Sequence, residues 1–230
     1  MIITFHHCGM ETVFTAPVPA SRDLKERRQS LRTRTPPLPV LTIGLVIITA
    51  LLQFLLPASG FVLLALDLQT VSDQPWQLVT GHLVHSDVSH WFWDMLAFTI
   101  AGALAEMISK RFWFTALVAG LLAVNLLLIS PLCTLTAYCG FSGVLNTFIF
   151  LVLAREILIS HRSGEQRLWP WLLTAVCLMK LGAELWAGQA LLTNTDWQSY
   201  PMAHLAGFVG ACAAIPFALR PGTAAVASHV

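Results

Sequence analysis

The sequence predicts an all-α membrane protein, a bundle of six transmembrane helices with a long outer loop between the first two spans. Composition points to a membrane, since 56% of the 230 residues are hydrophobic and only 11% are charged, where a soluble domain carries roughly a quarter. Six apolar windows give the helix count, at 40–56, 91–108, 112–129, 142–159, 168–192 and 202–219, each close to the ~18 residues that cross a bilayer. The third observation is where the cations fall. Arg22, Lys25, Arg27, Arg28, Arg32 and Arg34 precede the first window, Lys110 and Arg111 separate the second and third, Arg155, Arg162 and Arg167 follow the fourth, and Arg220 follows the sixth. The intervening connections, 57–89, 130–141 and 193–201, hold no Lys or Arg, so both termini are expected in the cytoplasm. Only Lys180 departs from the pattern.

Taken in order, residues 1–38 read as a basic tail attracted to anionic headgroups. They lack an apolar core followed by a small-residue cleavage site, so the first span is expected to act as the insertion signal. The six-helix core is expected over 39–220, and 221–230 read as a cytoplasmic C-terminal tail. The first outer connection, 57–89, is far longer than the ~2–8 residues that join bundle helices. It holds a short apolar run, Phe61 to Leu66, and then Trp76 at headgroup depth. Non-helical backbone there must be covered, because unpaired peptide groups in hydrocarbon cost several kcal/mol. The loop is therefore expected to fold against the bundle.

The chemistry-bearing residues gather at the outer ends of three spans. Ser142 opens the fourth within Cys139-Gly140-Phe141-Ser142-Gly143, where Gly140 and Gly143 leave it unhindered. Its position at a helix start places free N–H groups and the positive dipole end beside it, as an oxyanion would need. His204 opens the last span next to a stripe of small residues, Ala203, Gly207 and Ala211, that lets helices approach closely. With a rise of about 1.5 Å per residue, Ser142 and His204 lie at matching depth, within reach of a hydrogen bond if their helices touch. His90 and Asp94 share one helix face and could present donors to the same oxyanion. His82, His85, Ser86 and Asp87 are candidates to wet the outer mouth. The spacing of these histidines and carboxylates matches no strong zinc pattern, so no metal is expected.

Four groups have other readings. Lys180 and Glu184, four apart, can pair across one turn and ease the burial of charge in lipid. Asn125 and Asn146 read as helix-to-helix hydrogen bonds. Cys133 and Cys139 bracket the outer connection before Ser142, in what would be an oxidising compartment, and could form a disulfide. Cys177 and Cys212, inside spans, read as small apolar residues.

Across the whole six-span core, the histidines entering span two, G-x-S-G opening span four and A-H-x-x-G opening span six together resemble a rhomboid intramembrane serine protease. Residues 74–82, 138–145 and the Lys180/Glu184 pair more narrowly resemble the rhombosortase branch. The resemblance implies Ser142 as nucleophile and His204 as its general base, a dyad without a third carboxylate, with His90 in the oxyanion hole. No cofactor and no nucleic acid are implied. The implied partners are the lipid bilayer and single-span membrane substrates carrying a C-terminal Gly-Gly sorting tail, cut on the periplasmic side of a bacterial inner membrane. Two positions depart from the family pattern: Asp94 stands where Asn is usual, and Gln77 where Arg follows Trp in the first loop. An ionised Asp94 would oppose a developing oxyanion. Either burial keeps it protonated, so that it donates as Asn would, or it makes a structural contact with His90. A relative that binds and escorts membrane clients without cutting them is the alternative function.

Overall fold

In the computed structural model the described residues are 37–191 and 199–219. The basic cluster from Arg22 to Arg34, most of the 193–201 connection and the C-terminal tail with Arg220 lie outside them. Eight helices and one two-stranded antiparallel ribbon form among the described residues: α1 (Val40–Leu55), α2 (Ala58–Leu64), β1 (Leu66–Asp67), α3 (Gln77–Thr80), α4 (Val88–Ile108), α5 (Lys110–Leu128), β2 (Ala137–Tyr138), α6 (Ser142–Ser163), α7 (Trp169–Ala187) and α8 (Pro201–Ala218).

Four of these, α4, α5, α6 and α8, are long and apolar enough to cross a membrane. Of the other two expected spans, α1 is a shorter apolar helix of 16 residues. Helix α7 has 19 residues but carries Lys180 and Glu184. The helix boundaries follow local chemistry. Asp87 caps α4 by accepting the His90 N–H at 2.8 Å, which places His90 inside the helix. Ser109 alone joins α4 to α5 and caps the latter by accepting the Phe112 N–H at 3.0 Å. Pro170 and Pro201 stand in the first turns of α7 and α8, where the missing N–H costs nothing.

Helix α6 is the central element, packed against α4, α5, α7 and α8. Its aromatic core stacks edge to face, Phe98 lying 4.8 Å from Phe141 and 5.3 Å from Phe148 between ring centroids. Phe141 is completely buried, so this cluster fixes the residue immediately before Ser142. On the other side of α6, α8 approaches through small residues: Ala203, Gly207 and Ala211 are all buried. Helix α7 touches only α6 and α8 among the helices, leaving an opening between α7 and α4.

The segment between α1 and α4 folds against the bundle, as expected. Its hub is Gln77, buried to 1% exposure. The Gln77 carbonyl accepts the Asp67 N–H at 2.9 Å, and its amide donates to Leu63 O at 3.3 Å and Gln74 Oε1 at 3.0 Å. Glutamine thus satisfies the loop-anchoring position with both of its amide ends. Strand β1 pairs with β2, Leu66 opposite Tyr138, and the Gly140 N–H donates to Gly81 O at 3.0 Å. The first loop is therefore stitched to the stretch that leads into Ser142. Asn125 links α5 to α3: its amide donates to Leu78 O at 2.7 Å and its oxygen lies 3.2 Å from His82 Nε2, tying α5 to this loop. Asn146 stays within its own helix, donating to Ser142 O at 2.8 Å.

Candidate active site

Ser142 is the first residue of α6, and no side chain caps that helix. Its own N–H and the next ones are left over by the helix. Gly140 gives the chain its turn into the helix at φ +113°, a backbone shape that L side chains rarely adopt. A Cβ there would also stand 2.6 Å from His90 Cε1. The His90 ring thus lies flush on the loop beside the serine.

Ser142 Oγ sits 2.9 Å from His204 Nε2. The contact exists because α6 and α8 are nearly touching: a Cβ on Gly207 would fall 1.9 Å from Gly143 O, and one on Gly143 3.1 Å from Ala203 O. On its other nitrogen, His204 Nδ1 lies 2.8 Å from Glu184 Oε2. The sequence reading gave Glu184 only a local partner in Lys180. That pair is present, Nζ to Oε1 at 2.5 Å, and the Leu191 N–H donates to the same oxygen at 2.9 Å. The carboxylate absent from the expected dyad therefore comes from α7. The signal for it in the sequence was two charges inside one apolar window, at a depth compatible with His204.

Asp94 is buried, and its contacts are those of an acceptor rather than the protonated donor considered from sequence. Oδ2 accepts the Phe141 N–H at 3.0 Å and faces His85 Nε2 at 3.3 Å and His90 Nε2 at 3.5 Å. It holds the loop that presents the serine. His82 and His85, expected to wet the mouth, are instead buried at 1% and 3% exposure. The loop turns them inward, His82 edge-on to Tyr138 at 5.4 Å and His85 edge-on to His90 at 5.1 Å. Burial lowers the His82 pKa to about 4, so it is neutral at physiological pH. Burial also raises the Tyr138 phenol above its ordinary value, which keeps an O–H donor in the same wall.

Ser142, His204, His90, Asp94, Tyr138, Lys180 and Glu184 all line one cavity of about 220 Å³. It lies behind the opening between α4 and α7, with Trp93 and Ala97 on one side and Cys177 and Leu181 on the other. Among the described residues no group of His, Cys, Asp and Glu is arranged to hold a metal.

Cys133 and Cys139, which could pair as a disulfide, are both free thiols in this structure. The strand β2 between them separates their surroundings, Cys133 lying against the Leu66, Leu128 and Tyr138 cluster and Cys139 among Ala65 and Val84. Burial pushes the Cys139 thiol up to about 12, and a thiol attacks as its thiolate. Intact mass of the unreduced, denatured protein is expected to gain one maleimide at each of these cysteines, while in the folded protein Cys139 stays unlabelled. Resistance of both to labelling after denaturation would mean that they are bonded.

No curated protein matches the chain. The Rhomboid domain matches residues 72–221, which is more than half of the sequence and takes in α4 to α8 together with the first-loop hub and every residue of the cavity. A helical membrane protein whose fourth and last long helices meet at a serine and a histidine agrees with that match, and the chain belongs to the rhomboid family, whose members are typically serine proteases that act within the membrane.

Proposed function

We propose that this chain is an intramembrane serine endopeptidase of the rhombosortase branch. It cuts single-span membrane proteins near the outer face of a bacterial inner membrane, and its preferred substrates end in a Gly-Gly sorting tail with one transmembrane segment and a basic end. All six long helices span the bilayer, with both termini cytoplasmic and the cavity toward the periplasm. The observation that carries this reading is the 2.9 Å contact between Ser142 Oγ and His204 Nε2, inside a cavity at the end of the helices.

In the reaction a substrate strand enters between α4 and α7, locally unwound, because a hydrogen-bonded helix hides its carbonyls. His204 Nε2 takes the proton from Ser142 Oγ as the oxygen attacks the scissile carbonyl. The oxyanion is met by the Ser142 N–H, the helix dipole and the His90 ring. His204 then protonates the leaving amine, an acyl-serine remains, and water activated by the same imidazole releases it. The escort alternative drew its support from Asp94 and Gln77. Gln77 keeps the first loop anchored and Asp94 holds the serine loop, so neither departure argues for loss of cutting.

The test is coexpression with a single-span reporter bearing the Gly-Gly tail and with one lacking the tail. Wild type is expected to cleave the tailed reporter, while Ser142→Ala and His204→Ala leave it intact. Cleavage by all three would exclude the dyad. Equal cleavage of both reporters would remove the rhombosortase assignment and keep the protease one. Binding without cleavage by wild type would favour the escort.

A further inference from the structure

We infer that Glu184 is a positioning residue for this chemistry, an orienting carboxylate that fixes the tautomer of His204, and that Lys180 in turn holds the carboxylate in place through its other oxygen. The inference rests on the protease reading above. Glu184 is the only polar side chain that α7 directs fully into the bundle: its side chain is 1% exposed, and the other buried residues of α7 are Pro170 and Leu181.

The hydrogen-bond directions leave one solution. Oε1 already receives two donors, the Lys180 ammonium at 2.5 Å and the Leu191 N–H at 2.9 Å. Donors on that oxygen favour the charged carboxylate, and they leave Oε2, 2.8 Å from His204 Nδ1, as an acceptor. Nδ1 must then carry the proton. In neutral imidazole the other nitrogen is bare, so Nε2 faces Ser142 Oγ as the acceptor that a general base has to be. Among the described residues no other group bonds to Nδ1 to select that tautomer.

Other charges and titratable groups line the same cavity. Lys180 and Glu184 come from α7, Ser142 from α6, His90 and Asp94 from α4, Tyr138 from β2 and Tyr200 from the turn into α8, all around one cavity. Of these only Glu184 bonds to Nδ1. Its charge stabilises the imidazolium that forms during attack.

Glu184→Gln is the informative substitution, because it keeps shape and its amide orientation is dictated. The two donors at the Oε1 position draw the amide oxygen there and turn the NH₂ toward Nδ1. Nδ1 must then accept, the proton moves to Nε2, and the imidazole can no longer take the serine proton. The expected result, for purified protein cleaving the tailed reporter, is a fall in kcat of about 10²–10⁴-fold with little change in KM. Glu184→Asp, which restores a carboxylate, is expected to recover at least part of the loss.

A Glu184→Gln enzyme with wild-type kcat would overturn the inference while leaving the protease reading intact. So would equal losses in the Gln and Asp variants that track a lowered unfolding temperature, because Glu184 would then only tie α7 to the bundle. If wild type does not cleave, the protease reading itself has failed, and the tautomer is read without turnover. In protein labelled with ¹⁵N-histidine, a far-downfield Nδ1–H proton assigned through His204→Asn is expected in wild type and absent in Glu184→Gln. Its presence in both would sink the inference independently.

Discussion

Gly207→Ala is expected to abolish cleavage and to lower the unfolding temperature more than the same substitution at any other described glycine. The new Cβ would stand 1.9 Å from Gly143 O and 3.0 Å from Asn146 Cβ. The obstructing atom is a backbone oxygen in the first turn of α6, so no rotamer change relieves the clash, and α6 and α8 must move apart. Overpacking of this kind typically costs about 1–3 kcal/mol and more where backbone has to shift. The same movement stretches the contact between Ser142 and His204, now 2.9 Å, and a displacement of about 1 Å at reacting groups can cost about 10²-fold in rate. Gly182→Ala is the control, since a Cβ there meets nothing within 4 Å. Thermal unfolding in detergent, with reporter cleavage alongside, checks the pair; equal behaviour of the two variants would show that α6 and α8 are not in close contact.

The second large effect is expected at the opposite end of the bundle. Glu106, near the end of α4, reaches across to cap α1: it accepts the N–H groups of Leu41 at 3.0 Å and Thr42 at 2.9 Å and the Thr42 hydroxyl at 3.0 Å. Helix α1 has no side-chain cap of its own, beginning after Pro39. The acceptor's negative charge also suits the positive end of the α1 dipole. Thr42 Oγ1 in turn accepts the Trp113 Nε1–H at 3.1 Å, so one carboxylate links α1, α4 and α5. Glu106→Leu strands these donors with Thr42 at 1% exposure. At about 1–3 kcal/mol for each buried group left unpaired, the loss is expected to total about 3–5 kcal/mol, the range seen when one partner of a buried charge network is removed. Glu106→Gln, which retains one acceptor oxygen, should fall between. Unfolding midpoints and protease susceptibility of the α1 segment measure both, and a Leu variant as stable as wild type would show that α1 is held by its apolar face alone.

Apolar run length alone located each long helix to within a few residues, because burial in lipid demands continuous hydrophobicity and little else does. The serine and histidine were legible for a related reason. Polar groups at matched depths between small residues stand out in an apolar chain. Glu184 was harder to read. Lys180, four residues earlier on one helix face, offered a sufficient local partner, whereas the bond to His204 depends on how α7 is rotated against α8, which no local pattern encodes. The histidines of the first loop misled in the opposite sense: polarity suggested a wet mouth, but the β1–β2 pairing and the Asn125 bonds draw His82 and His85 inside. Cys133 and Cys139 are close in sequence, yet the two-residue strand between them sends the thiols to different apolar clusters. Glu106 gave no signal because its partners precede it by 64 and 65 residues.

Helix α7 is held on one flank only, and most of its length faces outward, with Trp169 and Trp171 near one end and Trp186 near the other. Its 19 residues span about 28 Å at 1.5 Å per residue, close to the ~30 Å hydrocarbon thickness of a bilayer. Indole rings anchor helices at the two headgroup levels, and a helix mismatched to the local thickness tilts to accommodate it. In the six-span arrangement proposed above, and with no described helix packed against α7 on the α4 side, acyl-chain length would act on the distance between the Glu184 carboxylate and the imidazole it touches. The bilayer would then be a tuning element of the chemistry.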